Sequence, residues 1–503
     1  MDRLGIAAAL LVAALAAPAA AQDRPSEEEL FGAPPQAPAK PEPSRAAPES
    51  SPRPEEGQLF GAPPAAQAAP PPPSGIVSRE REDALRIGGQ LYLRAQTLFQ
   101  EGTSPGDATL SSPNLLDVYL DARPNERVRG FVLGRLSYDP TLAPPGTPVS
   151  TATLGSLATS LGRTSANPSG VLDQLWVNFD LGRRVFVTAG RQHAKWGVGH
   201  FWNPTDYLHP VKRDPLAVFD VRTGTTMVKL HVPWEARGWN AYGVAVLEDV
   251  AGVPDPTNRL GRVGVGGRTE IVVGPVELGA DALTQDGHRP RFGVDVSAGV
   301  WDLDLYAEAA LRTSVDTPRW REAAAAPFGV ERHDPLGFTP QVTVGGSWSV
   351  KYSDEDAVTL GAEYFYDRSG YENARLYPAL LAAALLGQSP TLPVSGNPNP
   401  FFGQPNPFTP FYLGRHYGSA FVSLPRPGRW NDTTFTLSVL GNLSDRSFVA
   451  RLDHSVLVLT YLRVETFLAG DFGARDGEFR LGVPALAVAP IVFQAGVGLR
   501  VSL

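Results

Sequence analysis

The sequence contains no cysteine and only two methionines among 503 residues. The absence of cysteine excludes a disulfide framework, a thiolate zinc site and a cysteine nucleophile. The formal net charge of −8 argues against a nucleic-acid partner, which would require a strongly basic domain. The 51 glycines and 48 prolines argue against long helices. Long apolar runs are also scarce: beyond the first 21 residues, the best candidate is Tyr377–Gly387, which covers only a few helical turns.

The first 21 residues combine a charged start, an apolar run and small residues near its end. Arg3 precedes the run from Leu4 to Ala17, and Ala19 and Ala21 follow it. This pattern is typical of a secretory signal peptide cleaved after Ala21. We therefore expect an exported protein that lacks a transmembrane helix.

Residues 22–78 are rich in proline, alanine, glutamate and serine, and this composition predicts an extended, disordered tether. The motif LFGAPP occurs twice in this segment. One interpretation is a duplicated low-complexity spacer. The other is a bivalent motif that binds a periplasmic partner protein through its apolar pairs, Leu30 with Phe31 and Leu59 with Phe60.

From residue 79 to the end, segments of ten to fifteen residues alternate between apolar and charged positions, with turns between them. Such a period of two predicts strands with one apolar and one polar face. Short turns alternate with long loops near 139–170, 193–222, 314–338, 368–414 and 473–490, as in outer-membrane barrels. We therefore predict an all-β fold: an antiparallel transmembrane up-and-down β-barrel of about 16–18 strands, surrounded by outer-membrane lipid. The alternative is a soluble β-sandwich or propeller, whose strands also alternate.

The last thirteen residues, IVFQAGVGLRVSL, alternate throughout. Since spanning strands must pair every backbone polar group, this segment is expected to close the barrel against the strand that begins near Leu85. It resembles the C-terminal recognition signal of bacterial outer-membrane barrels, although it ends in Leu503 where that signal has an aromatic residue. The resemblance implies the barrel-insertion machinery as a partner.

Charged residues recur on the strand faces predicted to line the lumen. Each of them could simply pair with a neighbour on the next strand. Together they would create a field that orients and filters small polar solutes. The predicted pore-lining residues are Arg86, Arg94, Asp117, Asp121, Arg129, Arg135, Glu363, Arg463 and Glu465.

The most distinctive stretch runs from Gly190 to Gly224 and contains the pattern G-R-Q-x-x-x-W-G-x-G-x-x-x-N-P-x-D. It resembles a pattern in large porin-like outer-membrane proteins, a group that includes relatives of polysaccharide-export barrels. The resemblance implies a barrel and transport but no defined substrate. Strand parity places Arg191 toward lipid, so we expect either a bulge at Gly190 or the end of the membrane zone there.

This stretch is predicted to fold inward as a constriction, with Arg191, Lys212 and Arg213 facing Asp206 and Asp214. The other predicted constriction residues are Trp196 and Asn203. The alternative is a rigid cap whose Trp196, Trp202 and Tyr207 lie in the interfacial aromatic belt.

The sequence gives little indication of a metal site or of a catalytic pair. The spacing of His193, His200 and His209 matches no compact metal-ligand motif. His454 and Ser455 are neighbours in a strand and so point to opposite faces. We therefore predict no enzyme, no metal and no cofactor. The leading hypothesis is a porin-like channel through which small polar solutes diffuse, and the second is a structural barrel that anchors the LFGAPP motifs to a partner.

Overall fold

The computed structural model describes residues 84–142, 167–209, 211–220, 222–248, 260–313, 315, 319–324, 329–334, 337–353, 356–387, 408–484 and 488–502. The predicted signal peptide, nearly all of the region before β1 including the tether, and Leu503 lie outside this range. Within it, no helix combines the length and the apolar character that a membrane crossing requires.

Eighteen long strands build one closed antiparallel barrel, which confirms the predicted fold. The strands are β1 (Leu85–Gln100), β3 (Asn114–Asn125), β4 (Val128–Tyr138), β5 (Ser169–Leu181), β6 (Val185–Gln192), β7 (Thr225–Trp234), β8 (Trp239–Val246), β9 (Gly264–Val273), β10 (Val276–Thr284), β11 (Arg291–Val300), β12 (Leu303–Leu311), β15 (Gln341–Lys351), β16 (Ala357–Asp367), β17 (His416–Pro425), β18 (Thr433–Asn442), β19 (Ser447–Leu459), β20 (Leu462–Gly473) and β21 (Ile491–Ser502).

In the described parts of the connections lie three short strands and one α-helix. The strand β2 (Thr109–Ser111) pairs with β1, and β13 (Trp320–Glu322) pairs with β14 (Val330–Arg332). The helix α1 (Tyr377–Gly387) forms in the apolar stretch noted in the sequence. Leu380 of α1 packs in a buried apolar cluster with Leu413, Leu481 and Val488, so the connections before β17 and β21 pack together.

The first and last strands close the barrel. Strand β1 pairs with β21 from Gln90 opposite Ser502 to Gln100 opposite Ile491. It also pairs with β3 on its other side, so neither strand has an unpaired edge. This confirms the expected role of the C-terminal segment.

The outer face is apolar and the alternate residues point inward. On β1, Ile87 is 69% exposed and Leu93 is 43% exposed, whereas Tyr92 between them is 5% exposed. Large aromatic side chains are exposed near the end of the barrel that carries the short turns, among them Trp234, Trp301, Trp430 and Tyr461. An apolar band bordered by aromatic residues is the outer surface of a transmembrane barrel.

The connections differ in length at the two ends. One end, the turn rim, has connections as short as 126–127, 182–184, 274–275, 301–302 and 460–461. The other end, the loop rim, carries most of the long connections, including 139–168, 193–224, 312–340, 368–415 and 474–490. This alternation agrees with the pattern in the sequence.

Candidate functional site in the barrel lumen

The connection from β6 to β7, residues 193–224, enters the barrel, and we call it the lumen loop. It contacts inward-facing side chains of strands that lie far apart around the barrel, among them Glu308 of β12, Glu363 of β16 and Arg451 of β19. The lumen loop therefore crosses the interior of the barrel.

Glu363 holds the centre of the lumen loop. Its carboxylate accepts backbone hydrogen bonds from His200 at 2.7 Å, Phe201 at 3.1 Å and Trp202 at 2.7 Å. The Tyr306 hydroxyl also donates to it, at 2.7 Å. Glu363 is 4% exposed, so these donors replace the water that a buried carboxylate would otherwise need.

Glu308 of β12, two strands from β16, also binds the backbone of the lumen loop. It accepts backbone hydrogen bonds from Val198 at 2.8 Å, Gly199 at 3.0 Å and Thr205 at 2.6 Å, and it is 1% exposed. We call Glu308 and Glu363 the carboxylate clasp. Six backbone N–H groups of the lumen loop thus end on two wall carboxylates, which fixes the loop inside the barrel.

Two glycines allow this close approach. Gly197 has a φ of +89°, and a Cβ there would lie 2.1 Å from Asn203 Oδ1 and 2.4 Å from Glu308 Oε2. A Cβ on Gly199 would lie 1.9 Å from the Trp202 carbonyl oxygen. The W-G-x-G part of the sequence pattern is therefore required where the loop backbone meets Glu308.

The aromatic residues of the lumen loop are buried inside the barrel. The exposed fractions are 4% for Trp196, 0% for Trp202 and 1% for Tyr207. Trp202 stacks on Phe365 of β16 with a centroid distance of 5.7 Å. The interpretation that these residues lie in the interfacial belt is therefore wrong, because burial against the inner wall removes them from the lipid boundary.

A buried polar chain closes the base of the lumen loop. Asp173, at a register shift where β4 pairs with β5, lies 2.8 Å from His193 Nε2 and accepts a hydrogen bond from the Gly224 N–H at 3.0 Å. His193 Nδ1 lies 3.2 Å from His209 Nε2, and His209 Nδ1 lies 2.8 Å from Asp206. Asp173, His193, His209 and Asp206 thus form one continuous chain from β5 into the loop.

Asp206 is the other end of this chain. Burial alone would raise the pKa of Asp206, but the charges of His209 and Arg222 and their hydrogen bonds hold it well below its usual value. Arg222 lies 2.8 Å from Asp206 and 2.6 Å from Asp220. The chain ties the start of the lumen loop to its end.

The predicted partners within the loop are partly wrong. Asp206 pairs with Arg222 and His209, whereas the guanidinium of Arg191 donates to the Gly224 carbonyl at 2.9 Å and to Thr223 Oγ1 at 3.1 Å. The pairing of β6 with β5 and β7 continues without a register shift across Gly190. Arg191 reaches these acceptors because β6 ends one residue later.

Residues 211–219 extend to the opposite side of the barrel. Tyr412 donates to the Arg213 carbonyl at 3.1 Å, and Arg451 donates to the Leu216 carbonyl at 2.9 Å. Phe219 contacts Tyr92 of β1 edge-on at 4.7 Å, and the guanidinium of Arg500 of β21 lies 4.3 Å from its ring centroid. Lys212 and Arg213 are partly exposed and Asp214 is exposed.

The predicted pore-lining residues share the inward face of their strands. Arg135 binds Asp117 at 2.9 Å and Asp173 at 3.2 Å, while Arg129 binds Asp121 at 2.9 Å. The remaining members lie on β1, β16 and β20, namely Arg86, Arg94, Glu363, Arg463 and Glu465. Glu363 differs from the others, because it holds the lumen loop.

Sequence reasoning did not identify Asp173, Arg222 or Phe219 as site residues. Asp173 had no distinguishing signal, since its inward direction depends on a local register shift. The pairing of His193 with His209 spans sixteen residues of irregular loop. Among the described residues, no group of three or more histidines and carboxylates is arranged to hold a metal ion.

Comparison with known proteins returns porin structures at a low level of similarity. A scan of protein-family models finds no match, and no curated protein sequence matches. A Rh. blastica porin mutant with five substitutions is 11% identical, covers 83% of this chain and 100% of its own, and superposes with a TM-score of 0.39. A Rhodopseudomonas blastica porin triple mutant is also 11% identical. It covers 83% of this chain and 100% of its own, and it superposes with a TM-score of 0.39.

A third solved structure, described as "Asymmetric conductivity of engineered proteins", is 12% identical, with coverage of 83% and 100% and a TM-score of 0.39. A likeness at this level carries no argument about function.

Proposed function

We propose that this chain is an outer-membrane channel through which small polar solutes diffuse along a charged lumen narrowed by the lumen loop. The proposal rests on a closed transmembrane barrel whose polar face points inward. Such a barrel of eighteen strands is wide enough to enclose an aqueous path.

The exposure of Asp214 is the observation that supports a water-filled path most directly. Asp214 is solvent-exposed, although Leu216, two residues later in the loop, is bound to the inner wall by Arg451 of β19. Water therefore reaches the space between the loop tip and this wall. A lumen filled by packed side chains would leave Asp214 buried.

The lumen loop is the proposed constriction. The carboxylate clasp fixes its first half to β12 and β16, and its second half reaches β19, β21 and β1. Solutes then pass beside Lys212, Arg213 and Asp214 at the tip, where charged side chains of the loop and of the wall act on them from both sides.

Single-channel recording of the full-length protein in planar bilayers tests the proposal. Stable conductance steps, together with swelling of proteoliposomes in small neutral sugars, are the expected results. A folded barrel that gives neither conductance nor swelling would refute the channel and favour the second hypothesis, an anchor for the LFGAPP motifs.

A further inference from the structure

Charge is distributed unevenly around the inner face of the barrel. Five consecutive strands, β20, β21, β1, β3 and β4, form what we call the basic wall. They contain seven arginines and four carboxylates, a surplus of three positive charges. The arginines are Arg86, Arg94, Arg123, Arg129, Arg135, Arg463 and Arg500, and the carboxylates are Asp117, Asp121, Glu465 and Asp471.

The opposite side of the barrel has the opposite sign. Strands β9, β10, β11, β12, β15 and β16, the acidic wall, contain eight carboxylates and three cationic residues. Many of these carboxylates are already bound. Glu308 and Glu363 hold the lumen loop, while Arg268 lies 3.1 Å from Asp281 and 2.6 Å from Asp295. These four of the eight carboxylates of the acidic wall are therefore held by the lumen loop or by Arg268.

On the basic wall, by contrast, Arg129 and Arg500 are more exposed than the carboxylates they bind, whereas Arg135 and Asp117 are equally buried. The side chain of Arg129 is 33% exposed and that of its partner Asp121 is 8% exposed. The corresponding values for Arg500 and Glu465 are 20% and 13%. Strand β19 reverses this order, with Asp453 at 38% and Arg451 at 9%, so the arginine-rich surface ends at β20.

Two arginines of this wall lie directly opposite each other. Arg463 of β20 is the register partner of Arg500 of β21, and both occupy the inward face. Like charges at directly opposed positions destabilise a sheet. Glu465, two residues along β20 from Arg463, binds Arg500 at 2.5 Å. An anion in the lumen would reduce the repulsion between these two positive charges.

We infer that the solutes of this channel are small anions that carry carboxylate or phosphate groups, and that they pass along the basic wall. Arginine presents planar pairs of N–H donors that match both groups. The inference depends on the proposed channel function and adds the substrate class to it. The partly exposed guanidinium groups would attract anions into the lumen and exclude cations by like-charge repulsion.

Reversal potentials of the full-length protein in a potassium chloride gradient test this inference, with potassium acetate and potassium phosphate as further probes. We expect anion preference in the wild type. Arg129→Gln and Arg463→Gln should each lower the anion-to-cation permeability ratio by about twofold, the effect of one unit charge near 8 Å from an ion in water. Lys351→Gln is the matched control, because Lys351 ends β15 at the same rim on the acidic wall.

The outcomes separate the two proposals. Anion preference that decreases in Arg129→Gln and Arg463→Gln but not in Lys351→Gln supports the inference. A conducting channel that prefers cations, or one that shifts equally in all three variants, overturns the inference while the channel function stands. A protein that does not conduct overturns both.

Discussion

The carboxylate clasp gives the sharpest prediction, because a single side chain, Glu363, accepts hydrogen bonds from three backbone N–H groups of the lumen loop. In Glu363→Gln, the side-chain amide keeps one acceptor oxygen, and its NH2 group replaces the other. That NH2 group cannot accept hydrogen bonds from the backbone N–H groups that face it. Each hydrogen bond to a charged group contributes roughly 1.5–3 kcal/mol, and such contributions are not additive. We expect the substitution to weaken the inward position of the loop by about 3 kcal/mol.

A change of that size shifts the equilibrium between the bound and the released lumen loop by roughly a hundredfold, since 1.4 kcal/mol corresponds to tenfold. Single-channel recordings of Glu363→Gln should therefore show frequent transitions to a larger conductance. Trypsin provides a second readout, because a released loop presents Lys212 and Arg213 for cleavage.

Glu277→Gln is the matched control. Glu277 is also a barrel glutamate on the acidic side, but it lies at the start of β10 next to the turn rim, whereas the loop enters from the loop rim. Its recordings should match those of the wild type. If Glu363→Gln and Glu308→Gln fold and both retain wild-type current and trypsin resistance, the clasp does not hold the loop.

Three further predictions follow from the loops and the tether. Gly197→Ala should release the lumen loop more than Gly102→Ala, as measured by trypsin cleavage, because both glycines have positive φ but a Cβ at Gly102 meets nothing within 4 Å. Burial raises the pKa of Glu478 from 4.5 to about 8, so its stabilising effect is complete below pH 4.5 and is lost as the pH rises through 8. The melting temperature should fall over that range in the wild type and much less in Glu478→Gln. Deletion of residues 22–78 should leave conductance unchanged, while Phe31→Ala with Phe60→Ala should abolish any capture of a periplasmic protein; loss of conductance on deletion would contradict the tether assignment.

The sequence predicted the barrel well because strand periodicity is a local property. The alternation in residues 491–502 and 85–100 was sufficient to identify the two closing strands and the face that each turns to lipid. The same parity rule placed Asp117, Asp121, Arg129 and Arg135 on one face, where the structure pairs them across β3 and β4.

The contacts of the lumen loop could not be predicted in the same way, because its partners are distant in sequence. Glu308 binds Gly199 across 109 residues and Glu363 binds His200 across 163. Nothing near Glu363 distinguishes a carboxylate that holds a loop from one that lines a pore. Arg222 took the place expected for Arg191 beside Asp206, since the return of the chain toward β7 brings position 222 back to the base of the loop.

The position of Phe219 has a consequence for assembly in the membrane. Its ring touches Tyr92 on the first strand and Arg500 on the last, so it spans the junction at which the cylinder is completed. That contact surface exists only after the two ends of the chain have met. Phe219 can therefore take up this position only once the barrel is closed, whereas the carboxylate clasp on β12 and β16 does not depend on closure.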